Sequence, residues 1–274
     1  MTTELTNSIS WECQEKEIQI IGQDSKIEGF KALIRSDNNE VLSIHKKSYA
    51  KFDNNQIEKI TEEIAKLSGG SVQGFTEFQK GKRILGFVKP SDNIQTIGKN
   101  PIEDYIVIGN SHDGSTGIFL GTSTTLIRCT NAFSRIVKDN VIRHTKNHES
   151  YLYDVVRTYS DYKKEKEILY QSFENMSKIH IDKDIILSLQ NRIFNVNNLE
   201  EISAKKEDQI KLFNESLERE FTDLGQNLWG FFNAVTHYST HSIKQKQSTF
   251  GNVFGTSAEF NKKSIKIIEE LTLA

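Results

Sequence analysis

The feature that most constrains this chain is the close succession of strand-like runs between Val72 and Cys129. Val72 to Phe78, Arg83 to Lys89, Tyr105 to Ser111, Gly117 to Leu120 and Thr124 to Cys129 follow one another, with Asp113-Gly114 marking a tight turn. Connections this short do not fit parallel crossovers, so the runs predict an antiparallel meander. Upstream, Lys26 to Arg35 and Glu40 to His45 read as strands joined by Ser36-Asp37-Asn38-Asn39. Between the two groups, Ile57, Ile60, Ile64 and Leu67 recur at helical spacing behind Asp53. They predict a helix from Asn54 that ends at Gly69-Gly70.

The second half changes period. Leu152, Val155, Val156, Tyr159, Leu169 and Phe173 mark one face of a helix from about Glu149, with the charged run Lys163 to Glu167 expected on its solvated side. Ile185 to Ile193 predicts a shorter helix. Ile210, Phe213, Leu217, Phe221 and Leu224 form an amphipathic stripe that Gly225 breaks. Gln226 to about Ile243 and Ser257 to Leu271 complete the helical half. Strands first and helices later predict an α+β fold, an antiparallel meander with packed helices followed by a helical C-terminal half. Residues 1–25 read as an N-terminal extension, 26–243 as a single α+β domain (strand-rich over 26–148, helical over 149–243), and 244–274 as a loop and terminal helix.

The 274 residues carry 35 Lys and Arg against 37 Asp and Glu, a formal charge of -2. That balance excludes a generally cationic protein but not a local basic patch. No run approaches the ~18 apolar residues of a membrane span, and Met1 to Trp11 lacks the apolar centre of a secretory signal. The expected location is the cytoplasm, with no membrane partner. Cys13 and Cys129 are expected to be reduced there.

The motif search excludes several chemistries. Gly81-Lys82 and Gly98-Lys99 lack the rest of a phosphate-binding loop, and no dinucleotide fingerprint, nucleophile elbow or kinase signature occurs. No carboxylate pair stands where a shifted pKa would be expected. The chain therefore reads as a non-enzyme with no catalytic residue and no cofactor. His237 and His241, four apart on one helix, are candidates for a metal site that would still need a third ligand, such as His112, His144 or His148. The alternative places them on a polar stripe, Gly230, Asn233, His237, His241 and Lys244, opposite the buried face.

Local charge is most informative between Leu126 and His148. Arg128, Arg135, Lys138, Arg143 and Lys146 face only Asp139, and His144 and His148 lie among them. A strand is expected to pass through Arg128 to Asn131 into a short helix, followed by a strand-like Val141 to Thr145. Cations so placed suit a phosphate backbone. Phe75, Phe78, Phe87 and Tyr105 are the aromatics that would stack on bases.

Three segments carry a resemblance. They are Gly29 to Arg35 with Val41 to Ile44 and Tyr49; Thr125 to Phe133 with Ile142 to Thr145; and Asn227 to Tyr238 closing on Thr240-His241. In this order the chain resembles phage- and plasmid-related proteins of unknown function found on bacterial mobile elements. Their Arg-Val-Val-Cys-Gln-Asn-Thr pattern is replaced here by Ile127-Arg128-Cys129-Thr130-Asn131-Ala132, so no role is carried over for its missing polar positions. The resemblance implies a mobile-element setting and no established activity. By fold analogy the meander also looks like the single-strand annealing proteins of phage recombination.

The leading expectation is an oligomeric, non-enzymatic protein that binds single-stranded DNA through Arg128, Asn131, Arg135, Lys138, Arg143, His144 and Lys146. The alternative is a phage protein-interaction factor, a host-defence inhibitor or assembly protein, with no nucleic-acid role. A metal enzyme built on His237 and His241 ranks third.

Overall fold

The computed structural model describes residues 5–23, 25–126, 132–136, 151–196, 202–243 and 255–272. Nine strands and six α-helices occur among them, and they form the α+β fold that the change of period predicts. The strands are β1 (Cys13–Lys16), β2 (Phe30–Arg35), β3 (Val41–Lys46), β4 (Ser71–Phe78), β5 (Arg83–Lys89), β6 (Ile94–Ile97), β7 (Asn100–Ser111), β8 (Phe119–Leu126) and β9 (Ala132–Ile136). The helices are α1 (Asn54–Leu67), α2 (Tyr151–Lys178), α3 (Lys183–Phe194), α4 (Ala204–Leu224), α5 (Leu228–His241) and α6 (Thr256–Thr272).

All strand pairs are antiparallel. β1-β2-β3 make a small sheet; β4-β5-β7-β8-β9 make the large one, with β6 folded back on β7. The strands expected over Gly117 to Leu120 and Thr124 to Cys129 meet in one strand, β8, paired to β7 from Phe119 to Leu126, with Ile127 to Cys129 outside the described residues. The stretch after Asn131 is a strand, β9, and not the expected short helix, because Ala132 to Ile136 completes the ladder of β8. The expected strand Val141 to Thr145 lies outside the described residues.

Residues near the N-terminus are built into this framework. Trp11 and Cys13 are buried, and the Trp11 indole donates to Glu77 Oε2 at 2.6 Å. Arg35 lies 4.3 Å over the Trp11 ring and pairs with Glu77 at 2.6 Å. Burial pushes the Cys13 thiol up to about 11, so it is an inert core group.

One face of the large sheet is apolar at alternate positions. Ile84, Val88, Ile106, Ile108 and Leu120 pack against Ile57, Ile60 and Ile64 of α1. Thr61 of α1 sits where a side chain on Gly86 would be. On the other face, Phe78, Leu85, Val107 and Phe119 form a second buried cluster. Two of the aromatics expected to stack on bases, Phe75 and Phe78, are therefore core residues.

The helices form a third cluster. Phe173, Met176, Phe213, Phe231, Phe232, Val235 and Ile268 meet there, with Ile97 and Ile102 from the sheet. Three caps set the helix ends: Asp182 accepts from Ile185 N–H at 2.9 Å, Asn227 accepts from Gly230 N–H at 2.9 Å, and Gly225 ends α4 with φ +87°. α5 is buried on almost every side, so the stripe beginning Gly230 and Asn233 is enclosed. A Cβ on Gly230 would lie 2.4 Å from the Gly225 carbonyl. α2 joins the layers. Tyr162 packs with the α1 cluster, whereas Leu169, Phe173 and Met176 pack with the helices.

A tight contact in the large sheet gives a direct test. A Cβ on Gly109 would meet Phe119 Cζ at 2.1 Å. Gly109→Ala should therefore destabilise the protein by about 1–3 kcal/mol, as overpacking does, read as a lower urea midpoint.

Candidate functional site

The site lies where α2 crosses β7. In β7, Ile102, Asp104, Ile106 and Ile108 point to the same face, so the alternation that buries three isoleucines also buries a carboxylate. In α2, Tyr162, Lys166 and Tyr170 are spaced by four and project from one side. Lys166 Nζ forms an ion pair with Asp104 Oδ2 at 2.6 Å, and the Thr122 hydroxyl donates to Asp104 Oδ1 at 2.6 Å. Lys166 thus departs from the solvated side expected for Lys163 to Glu167. It is held inside because an unpaired carboxylate there would cost several kcal/mol.

The sequence expectation concerned paired carboxylates; here a single carboxylate, paired with a lysine, is the shifted group. Burial pushes the Asp104 carboxyl up, and the Lys166 charge and the hydrogen bonds from Lys166 and Thr122 pull it back. The Tyr170 hydroxyl faces the same carboxylate, and burial together with that negative charge drives its pKa upward. The Lys166 ammonium lies 5.7 Å from the Tyr170 ring centre.

Above the pair is an open cleft of about 250 Å³, lined by Asp92, Gln95, Tyr159, Tyr162, Lys163 and Tyr170 among others. The Tyr159 and Tyr162 rings stack at 6.1 Å with 17° between planes. Tyr162 is buried and Tyr159 is partly open to solvent. Asp92 lies 3.9 Å from Lys166 at the rim. With Lys163 and Lys166 against Asp92, Asp104 and Glu167, the cleft is an aromatic surface with little net charge.

Of the residues proposed from sequence for nucleic acid, the structure places one. Arg135 stands in β9 opposite Thr122, the residue that hydrogen-bonds Asp104. Arg128, Asn131, Lys138, Arg143, His144 and Lys146 lie outside the described residues, as do His148 and Cys129. Phe87 and Tyr105 are half-buried on the sheet face opposite α1. Tyr105 is pushed up to about 12 by burial and by Glu103, which also accepts from Lys89 at 2.8 Å.

The two candidate metal ligands have other partners. His237 and His241 ring centres are 4.6 Å apart on α5. Arg219 Nη1, a group that only donates, lies 3.1 Å from His237 Nε2. The Ser216 hydroxyl donates to Leu212 O at 3.1 Å, so at 2.9 Å it accepts from His237 Nδ1–H. His237 is thereby a neutral ring with both nitrogens engaged, linking α5 to α4 rather than to the sheet. Burial, then the His241 and Arg219 charges, lower its pKa to about 4. His112 is buried and its Nε2 lies 2.8 Å from Asn54 Oδ1. Among the described residues, no group of three or more His, Cys, Asp or Glu side chains gathers around a metal position. No helix among them is long and apolar enough to cross a membrane.

Fold and site together define an α+β protein whose sheet and helices meet over one buried ion pair beneath an aromatic cleft. The chain belongs to the family described as Domain of unknown function (DUF932), whose model matches residues 41–261. No curated protein and no solved structure matches it.

Two variants probe these groups. Lys166→Met should cost about 3–5 kcal/mol by leaving Asp104 buried without its cation. The double variant Asp104→Asn/Lys166→Met should recover part of that loss in urea unfolding. For His237, a folded pKa of about 4 against 6.5 unfolded means that its neutral ring stabilises above pH 6.5. That contribution is lost as pH falls from 6.5 towards 4. The Tm difference between wild type and His237→Gln should shrink over this window.

Proposed function

We propose that this chain is a non-enzymatic single-stranded DNA-binding protein of the annealing type, acting as a homo-oligomer within a bacterial mobile element. The observation that carries this reading is the partly open Tyr159 ring in an open cleft, backed by the buried Tyr162 ring, on the helix that follows the basic segment. Single-strand binders combine aromatic platforms for bases with cations that track the backbone. The cleft has the platform but little net charge. The phosphate contacts therefore fall to Arg128, Arg135, Lys138, Arg143 and Lys146, with Asn131 and His144 on the same surface. Among the described residues, Arg135 of β9 pairs in register with Thr122, which hydrogen-bonds Asp104 beneath the cleft.

A second reading, a phage protein-interaction factor without nucleic acid, is favoured by one feature: the exposed Phe30, Val41 and Ile44 on the small sheet.

The division of labour is testable by fluorescence anisotropy with a labelled single-stranded oligonucleotide over a salt series. Tyr159→Ala should weaken binding by about 1–3 kcal/mol without changing the salt slope. Arg143→Gln should reduce the slope by roughly 0.7. Absence of binding at low salt overturns the DNA reading and leaves the second.

A further inference from the structure

The small sheet buries one face and exposes the other. Its outer face carries Phe30, Val41 and Ile44, which are 41%, 51% and 59% exposed. The register sets them on one face: Phe30 opposes Lys46, Ala32 opposes Ile44, and beyond a β-bulge after Leu33 the buried Ile34 opposes Val41. Isolated exposed apolar residues are ordinary, whereas a row on one face marks a contact surface. Lys16, opposite Ala32, and Lys46 flank the row. Neither pairs with a carboxylate among the described residues.

Elsewhere on the molecule is a surface of matching character. A groove of about 490 Å³ runs between α3 and α4, with Leu187, Ile202 and Ile210 as its apolar lining. Leu187 is 47% exposed. Glu207, Glu215 and Glu218 edge this groove against a single cation, Lys211.

We propose that the outer face of the small sheet docks into the α3–α4 groove of a second copy of this chain. Apolar surface meets apolar surface, and the lysine-flanked row meets a glutamate-edged groove, the arrangement that orients specific association. Pairing two small-sheet faces would instead set Lys16 and Lys46 against the same lysines. The two patches differ, so the contact is head to tail and builds a ring or an open chain rather than a closed two-fold dimer. The inference rests on the oligomer named above, supplies its interface, and requires no nucleic acid.

The test is light scattering on size-exclusion peaks of the full chain without DNA. Wild type should assemble and dissociate as salt is raised. Ile44→Glu should be monomeric, and so should the triple variant Glu207→Lys/Glu215→Lys/Glu218→Lys. Mixing them should produce a one-to-one dimer, because the first retains the groove and the second retains the sheet face. Circular dichroism melts check that both fold; if Ile44→Glu does not, Val41→Glu replaces it. A monomeric wild type, variants that assemble like wild type, or monomeric variants that fail to pair on mixing would each overturn the proposal. DNA binding is scored separately, so failure here is distinguishable from failure of the DNA reading.

Discussion

The interaction on which the rest of this structure depends is the contact between Lys166 and Asp104. It lies under α2, the helix that joins two apolar clusters, one between α1 and the large sheet and one among α2 to α6. Apolar packing brings the surfaces together without fixing their alignment closely. A carboxylate with an ammonium at 2.6 Å and a hydroxyl at 2.6 Å does fix it, because sliding α2 by one turn would strand both charges. Replacing such a pair with apolar residues can be neutral or stabilising, so its contribution is register more than net stability.

That register sets what the cleft presents. With Lys166 held inward, Tyr170 faces the Asp104 carboxylate while Tyr159 and Lys163 remain at the open side. Lysines and carboxylates nearly cancel, which leaves an aromatic surface with little net charge. A surface of this kind suits a base better than a phosphate, and it gives the proposed DNA contact its two parts. The histidine pair belongs to architecture: His237 joins α5 to Ser216 and Arg219 of α4.

Much of the fold was legible because periodicity reports burial. β2 to β5, β7 and all six helices follow from alternation or from spacing of three and four. β1 was hidden because Cys13-Gln14-Glu15-Lys16 shows little apolar alternation, and only pairing with β2 makes it a strand. β6 is a four-residue return through Gly98, and β9 is defined by its ladder with β8. At the site, Lys166 was concealed by its charged neighbours, although its spacing from Tyr162 and Tyr170 was the usable signal. Asp104 lies one residue before the strand-like run Tyr105 to Ser111, outside the alternation that run displays. Extending it back to Ile102 places the carboxylate on the buried face. What no local pattern conveys is that these two charges, far apart in sequence, satisfy one another.

The central claim is that this pair makes sheet and helix cluster one cooperative unit. Native-state hydrogen exchange along α2 and β7, measured at increasing denaturant below the unfolding transition, tests it most directly. The account predicts that buried amides around Lys166 and Asp104 converge on one opening free energy, equal to that of global unfolding. Protection retained in β7 while α2 opens at a clearly lower free energy would contradict it.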